Sequence, residues 1–245
     1  MPVQNDKQMT LSWVQFTMLM CGFWLIVLVG NTRNPLANYA AVSAYDVKSV
    51  DLTAQLIMQL LAGPFAGAFA CVLLVSVVGG RHLWQALMQP ISMRGWWWLV
   101  PVSLGIGVLR WGLMVLADQL PWTWVTGTVI SDLQWWDQRM LWVIALRELF
   151  TVIATLLMLM TIDVGLSERL QPSRHWVMYL LLGLVAAGLA TTSAQPAFLR
   201  QLLVVGIPAI GAMFVFHRWR NLWFVLLGYE LVFRVITVVF VLATW

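Results

Sequence analysis

Long apolar runs, most of them close to twenty residues or longer, constrain the fold of this chain more than any other feature. A helix needs about 20 predominantly apolar residues to cross the hydrocarbon core of a bilayer. Only 10% of the residues are charged, whereas a soluble domain usually carries about 25%. The sequence therefore predicts an all-α, polytopic membrane protein with about seven transmembrane helices, at residues 11–30, 55–79, 96–117, 140–162, 175–193, 201–217 and 222–244.

The distribution of Lys and Arg between the connecting segments predicts the orientation of these helices, because cytoplasmic loops carry an excess of basic residues. An inside N-terminus places seven basic residues on the cytoplasmic side, namely Lys7, Arg81, Arg94, Arg169, Arg174, Arg218 and Arg220. The other side then holds Arg33, Lys48, Arg139 and Arg200. This excess predicts that the N-terminus is inside and the C-terminus outside. We expect a multi-pass protein of the bacterial inner membrane.

Ionisable residues inside the predicted helices are the main functional signal: Arg110, Arg147, Glu148, Glu230 and Arg234. A charge at the bilayer centre costs about 2.5–3.5 kcal/mol on insertion scales, so such residues usually face one another or a wet cavity. At about 1.5 Å per residue, Glu148 lies about 12 Å below the outer boundary. The same reasoning places the other four in the outer half of the membrane, so all five can share one site.

The helical positions of these residues limit how they can meet. Glu230 and Arg234 are four residues apart and lie on one helix face. Arg147 and Glu148 are adjacent and diverge by about 100° around the helix axis, so they must face different neighbours. Two interpretations stay open: an ion-pair network that fixes helix packing, or a polar cavity that binds or processes a ligand. Tyr229 and Thr192 are predicted hydrogen-bonding neighbours in such a cavity.

The second half of the chain resembles a known membrane family in the order and spacing of its helices, through the segments RELFTVIATLL, RHWVMYLLLGLVAAGLATTSAQPAFL and GAMFVFHRWRNLWFVLLGYELVF. These segments are similar to the motif helices of the CPBP family, which comprises the CAAX-protease and bacteriocin-processing intramembrane glutamic proteases. The resemblance implies a CPBP-like core of four membrane helices at residues 140–245. Residues 1–139 then hold the first three membrane helices and two Trp-rich connectors.

The catalytic motifs of that family are incomplete in the first two motif helices. Glu148 matches one residue of the family's glutamate pair, and Arg147 occupies the place of the other. Val152 stands where the motif arginine would be, and Thr191 and Thr192 occupy the region of the motif histidine. The resemblance therefore implies that Glu148 would be the catalytic base if the protein is active.

The third motif helix departs from the family pattern as well. Tyr229 falls near the position of the family's histidine and Phe233 near that of its asparagine. His217 and Asn221 spell His-x-x-x-Asn, but they lie at the cytoplasmic end of a helix, and we interpret this match as chance. A general base needs a partner that tunes it and a donor near the charge that forms. The absence of the family's catalytic residues at these positions favours a member of the family that does not hydrolyse peptides.

The histidines and cysteines do not form a recognisable metal or cofactor motif. His82, His175 and His217 fall at cytoplasmic helix ends, which favours helix capping and headgroup contact over paired haem ligation. Cys21 and Cys71 lie in apolar runs without a CxxC or Cys/His cluster, as is usual for small core residues. No Walker A, HExxH or GxSxG motif is present. We therefore predict no metal and no cofactor.

Function is predicted in three forms of decreasing preference. The first is a non-hydrolytic, CPBP-like accessory or scaffold subunit of a cell-envelope complex, which binds a partner helix or lipid in the charged cavity. The second is an active intramembrane peptidase that uses Glu148, and the third is a component of a transporter or channel. Because no basic tract is present, the expected partners are the lipid bilayer and other membrane proteins, and not nucleic acid.

Small residues on the second predicted helix form a further pattern of interest. Gly63 and Gly67 in the segment AGPFAGAFA are four residues apart and share one helix face. Such small-xxx-small faces allow two membrane helices to approach closely. We predict close packing inside the protein at this face, with contact to a partner subunit as the alternative.

Overall fold

The computed structural model describes residues 10–32, 54–119, 138–191, 198–236 and 239. Regular secondary structure in these ranges is helical, apart from an isolated β-bridge between Met88 and Asn221. The prediction of an all-α protein is confirmed. The α-helices are α1 Trp13–Thr32, α2 Ala54–Leu74, α3 Gly80–Leu87, α4 Met93–Gln119, α5 Gln138–Ser167, α6 His175–Thr191, α7 Phe198–Gln201, α8 Ile207–Trp219 and α9 Leu222–Leu226.

Wide π-helical turns continue three of these helices. They lie at Val75–Gly79 after α2, at Leu202–Gly206 between α7 and α8, and at Leu227–Val232 after α9. Within the described ranges, five helical stretches are long and apolar enough to cross a membrane: Leu61–Leu87, Trp97–Ala117, Ala145–Ser167, Pro172–Ala190 and Phe198–Trp219. Together with the shorter apolar helix Trp13–Val29 and the helical stretch that begins at Leu222, they agree with the predicted bundle of about seven spans.

Helix α5 forms the centre of the bundle. Of 18 residues in the apolar stretch Ala145–Ser167, 61% are buried inside the protein, against 17% in Leu61–Leu87. Helix α5 packs against α2 and α6 and also contacts α8 and α9. Its second half, LLMLMTIDVGL, is almost uniformly apolar, as expected for a helix that is surrounded by others. The helix ends at Ser167, five residues beyond the predicted boundary, and therefore includes Asp163.

Two glycines allow α4 to lie directly against the C-terminal helical stretch. A Cβ atom at Gly107 would lie 2.6 Å from Val232 Cγ1 and 3.1 Å from the backbone nitrogen of Phe233. A Cβ atom at Gly228 would lie 2.9 Å from Ser103 Cα. Real Cβ atoms essentially never come within 3.0 Å of another heavy atom, so a side chain at either position would force a neighbour to shift. This contact brings the middle of α4 next to the charged residues of the C-terminal stretch.

The small-residue face of α2, at Gly63 and Gly67, is not in close contact with another described helix. Nothing lies within 4 Å of a Cβ atom built at Gly63 or at Gly67. For the part of the chain that the structure describes, the prediction of close internal packing at these two positions is therefore wrong. Contact with a partner subunit at this face stays a prediction.

Replacing Gly228 with Ala is expected to lower the free energy of unfolding by about 1–3 kcal/mol, the usual cost of overpacking. The added methyl group would meet the backbone of α4 at Ser103, which cannot move aside as a side-chain end could. Thermal unfolding in mild detergent measures the effect. The matched control is Gly63→Ala, where the added methyl group meets open space. Equal unfolding midpoints for the two variants would contradict the close contact between α4 and the C-terminal stretch.

Candidate functional site

Four charged side chains from three helical segments form a continuous ion-pair network: Arg110, Glu148, Glu230 and Arg234. We name it the outer charge network after the topology predicted from the sequence. Arg110 of α4 donates from Nη1 to Glu230 Oε2 at 2.6 Å. Arg234 donates from Nε to the other oxygen of Glu230, Oε1, at 2.5 Å. The Nη2 atom of Arg234 lies 3.4 Å from Oε2 of Glu148 on α5. Positive and negative charges therefore alternate across the network.

One half of the outer charge network is sealed inside the protein. Glu230 is 1% exposed and Arg110 is 7% exposed. The guanidinium carbon of Arg110 lies 4.3 Å from the ring centroid of Tyr229 and 4.1 Å from that of Phe233. These rings stabilise the cation through their negative faces and keep lipid away from it. Arg110 and Glu230 therefore form a buried pair whose charges depend on each other.

A wide helical turn supplies a further partner for Arg110. Tyr229 and Glu230 lie in the π-helical turn Leu227–Val232, and such turns disturb the regular ladder of backbone hydrogen bonds. The backbone oxygen of Tyr229 accepts a hydrogen bond from Arg110 Nη1 at 2.6 Å. The hydroxyl of Tyr229 donates instead to the backbone oxygen of Val205 at 3.4 Å. Tyr229 thus contacts the network through its ring and its carbonyl, and its hydroxyl points elsewhere.

The other half of the network is open. The side chain of Glu148 is 35% exposed and that of Arg234 is 21% exposed. This end is the part of the network that a lipid or a partner helix could reach. Whether the residues line a cavity stays a prediction.

The remaining predicted site residues take less part in the network. Arg147 is half-buried, and its Nε atom is buried without a hydrogen-bond partner among the described residues. It forms no ion pair with the four network residues, in line with its divergence from Glu148 around α5. The charges of the network cancel, so Arg147 adds one positive charge to the region. Thr192 lies outside the described residues.

A second group of ionisable side chains lies at the opposite end of α5: Asp163, His175, His217 and Arg220. We name it the inner polar cluster after the same predicted topology. Asp163 is fully buried, with Oδ2 at 3.3 Å from Arg220 Nη1 and Oδ1 at 3.5 Å from His217 Nδ1. The rings of His175 and His217 are in edge-to-face contact, with centroids 5.0 Å apart. Fifteen residues separate Asp163 from Glu148, which is about 22 Å along a helix.

The sequence does not predict this cluster. The predicted helix ends at residue 162, which leaves Asp163 outside the predicted charges in the membrane. The signal was the apolar run itself, which continues past Asp163 through Val164, Gly165 and Leu166. The rings of His175 and His217 are in direct contact, an arrangement that leaves no room for a porphyrin between them.

The His-x-x-x-Asn match has a structural role that differs for its two residues. His217 belongs to the inner polar cluster, whereas Asn221 caps α9 by accepting a hydrogen bond from the backbone nitrogen of Phe224 at 3.1 Å. The Nδ2 atom of Asn221 donates to the backbone oxygen of Gln89 at 2.8 Å. Asn221 therefore connects the α8–α9 turn to the segment after α3 through a hydrogen bond.

The described residues offer little for metal or acid–base chemistry at the outer charge network. In these ranges, no three His, Cys, Asp or Glu side chains come together in a way that could hold a metal ion. All three histidines are described, and none contacts the network. Both carboxylate oxygens of Glu230 accept hydrogen bonds from arginine. Glu148 is thus the one carboxylate of the network with an accessible surface.

Comparison of the chain with known protein families, with curated proteins and with solved structures finds no match.

Proposed function

We propose that this multi-pass membrane protein is a non-hydrolytic scaffold or accessory subunit of a complex in the bacterial cell envelope. Its site is the open end of the outer charge network, where Glu148 and Arg234 face a partner helix or lipid. A CPBP-like order of helices in residues 140–245 is part of this proposal. The buried end of the network, Arg110 with Glu230, holds Arg234 in place from the inside.

The unequal burial of the network is the observation that carries the proposal. A network that only fixed helix packing would be expected to bury all of its charges, because a charged group within the membrane that faces lipid is costly. Glu230 is sealed, yet the pair that it supports remains accessible at Glu148 and Arg234. An oriented carboxylate and guanidinium at this depth can hydrogen-bond to polar groups of another membrane component.

Hydrolysis receives less support from the same geometry. A catalytic base needs a tuning partner and a donor near the oxyanion that forms. Glu148 faces Arg234 at 3.4 Å, and none of the three histidines contacts Glu148 to exchange a proton with it. The chain therefore has a carboxylate at the right depth without the groups that would make it a catalyst.

Photocrosslinking tests the proposed site directly. Leu231 and Val235 are 53% and 56% exposed and flank Arg234 in the sequence, so a photoreactive residue at either position samples the open end of the network. We expect a discrete crosslinked species that disappears in the Glu148→Gln/Arg234→Gln variant. A probe at Leu184 of α6, which is 47% exposed, is the control. Crosslinks that are identical at Leu184, or that persist in the double variant, would contradict the proposal.

The single variant Glu148→Gln separates the scaffold from the peptidase. Because Glu148 is half-exposed and pairs with Arg234 at its accessible end, we expect the free energy of unfolding to fall by less than about 1 kcal/mol. We also expect the wild type to show no cleavage of membrane-embedded test peptides. Cleavage by the wild type that Glu148→Gln abolishes would establish the peptidase instead. Ion or solute flux into proteoliposomes of the purified protein would favour a transporter component.

A further inference from the structure

The arginines at the inner end of the bundle, where α5 ends and α6 begins, fall into two groups. Arg169 and Arg220 are engaged within the protein. Arg169 donates from Nη2 to the backbone oxygen of Leu11 at 2.7 Å, and Arg220 donates to Ser167 Oγ at 2.9 Å and pairs with Asp163. The second group, Arg81, Arg174 and Arg218, is exposed, and its side chains form no hydrogen bond or ion pair with any described residue.

The three exposed arginines come from three different connections that meet at this end. Arg81 lies in α3, Arg174 closes the 3-10 turn Pro172–Arg174 before α6, and Arg218 lies in the last turn of α8. The backbone nitrogen of Gln89, just after α3, donates to the oxygen of Arg220 at 2.8 Å. The α3 segment is therefore joined to the turn that follows Arg218.

The end of α5 is joined to the same turn. Asp163 pairs with Arg220 across the gap between α5 and the α8–α9 turn. The ring contact between His175 and His217 joins the start of α6 to the end of α8. The three exposed guanidinium groups thus lie around one end of the bundle, and we call them the arginine rim.

The position of α3 indicates the level of the arginine rim in a membrane. Helix α2 has 21 residues and the π-helical turn after it adds five, which gives about 39 Å at about 1.5 Å per residue. This exceeds the hydrocarbon thickness of about 30 Å. The helix is then interrupted at Gly80, whose φ of 61° suits glycine. Helix α3 therefore begins at the level of the lipid headgroups.

The faces of α3 fit that location. Leu83 and Leu87 are fully buried against the bundle, whereas Arg81 and His82 are exposed. An amphipathic helix with basic residues on its polar face is typical of a membrane interface.

The carboxylates that are described at this end are already engaged. Asp163 is fully buried and pairs with Arg220. Glu168 accepts hydrogen bonds from the backbone nitrogen of Thr10 at 2.9 Å and from the Thr10 hydroxyl. Neither carboxylate pairs with Arg81, Arg174 or Arg218. The guanidinium groups of the rim therefore keep their positive charge available to a ligand outside the protein.

We propose that the arginine rim binds the phosphate groups of anionic phospholipids. A guanidinium group presents paired N–H donors that match phosphate oxygens, and it binds phosphate strongly where water is partly excluded. Clusters of basic residues next to membrane helices attract anionic lipids, with a contribution from each residue near the surface. The arginine rim selects the lipids around the inner end of the bundle and is independent of the outer charge network.

Lipid enrichment tests this proposal. The protein is placed in nanodiscs of phosphatidylcholine with a minority of phosphatidylglycerol, extracted in mild detergent, and its retained lipids are quantified by mass spectrometry. We expect phosphatidylglycerol to be enriched over the bulk ratio. The triple variant Arg81→Gln/Arg174→Gln/Arg218→Gln is expected to reduce its affinity for phosphatidylglycerol by up to about 100-fold, since each charge contributes roughly fivefold, and the enrichment should be lost.

The control variant removes the same charge from the other end of the predicted topology: Arg33→Gln/Lys48→Gln/Arg139→Gln. It is expected to retain the enrichment, and an equal loss in the control would overturn the proposal, as would unchanged enrichment in the rim variant. A triple Arg→Lys variant of the rim keeps the charge and reports on folding; it should retain most of the enrichment. Inorganic phosphate should displace no more lipid than chloride at equal ionic strength. Selective displacement would identify free phosphate as the ligand instead.

Discussion

Replacing Glu230 with Gln is expected to lower the free energy of unfolding by about 3–5 kcal/mol, the usual cost of leaving a buried charge without its partner. Arg110 is 7% exposed, and its Nη1 atom pairs with Glu230 at 2.6 Å. The substitution would leave this cation between two aromatic rings with no carboxylate to balance it. Thermal unfolding in mild detergent, together with the amount of protein in the membrane, measures the effect.

Two further variants identify the cause of that loss. Glu148→Gln removes a carboxylate from the same network at its exposed end, so it should cost less than about 1 kcal/mol. The double variant Arg110→Leu/Glu230→Leu removes both charges, and we expect it to be more stable than Glu230→Gln alone, because no orphan charge remains. If Glu230→Gln lowered the free energy of unfolding no more than Glu148→Gln, the buried pair would not hold α4 against the C-terminal stretch.

The cost of placing a charge in hydrocarbon explains why much of the outer charge network could be predicted from sequence. That cost requires Arg110, Glu148, Glu230 and Arg234 to find partners, and the rise per residue places them at one depth. The structure brings these four into contact. The spacing of Glu230 and Arg234 predicted a shared helix face, and their pairing at 2.5 Å agrees with it.

Pairing within the network could not be predicted, because sequence gives the depth of a residue and not the neighbour of each helix. Arg147 and Glu148 share a depth, yet Glu148 meets Arg234 and Arg147 does not. The choice of Arg110 as partner for Glu230 depends on the close approach at Gly107 and Gly228, which only the packed structure reveals. The sequence shows both glycines, but it does not show which helix each of them contacts.

The inner polar cluster was missed for a different physical reason. A helix boundary predicted from sequence is uncertain by a few residues. A single acidic residue at such a boundary is therefore expected to lie in water and not in the protein interior. Asp163 is instead fully buried, because α5 continues beyond it to Ser167 and the α8–α9 turn covers it. The CPBP-like motif, in contrast, predicts a site at Glu148, which lies about 22 Å away along α5.

Replacing Asp163 with Asn is the second substitution for which we expect a large effect, a loss of about 2–4 kcal/mol in the free energy of unfolding. The cost of breaking a buried pair applies, but the Arg220 side chain is 21% exposed and can recover part of its hydration. Ser167→Ala is the matched control, because it removes one hydrogen bond to Arg220 at 2.9 Å and leaves the ion pair. We expect it to cost about 1 kcal/mol.

The Asp163→Asn variant also connects the inner polar cluster to the arginine rim. Without Asp163, Arg220 is freed at the same end of the bundle and can join Arg81, Arg174 and Arg218. The retention of phosphatidylglycerol should therefore rise in Asp163→Asn although the protein is less stable. A drop in stability without that rise would mean that Arg220 turns away from the headgroups. An unchanged unfolding midpoint would mean that the contact of α5 with the α8–α9 turn does not depend on the Asp163–Arg220 pair.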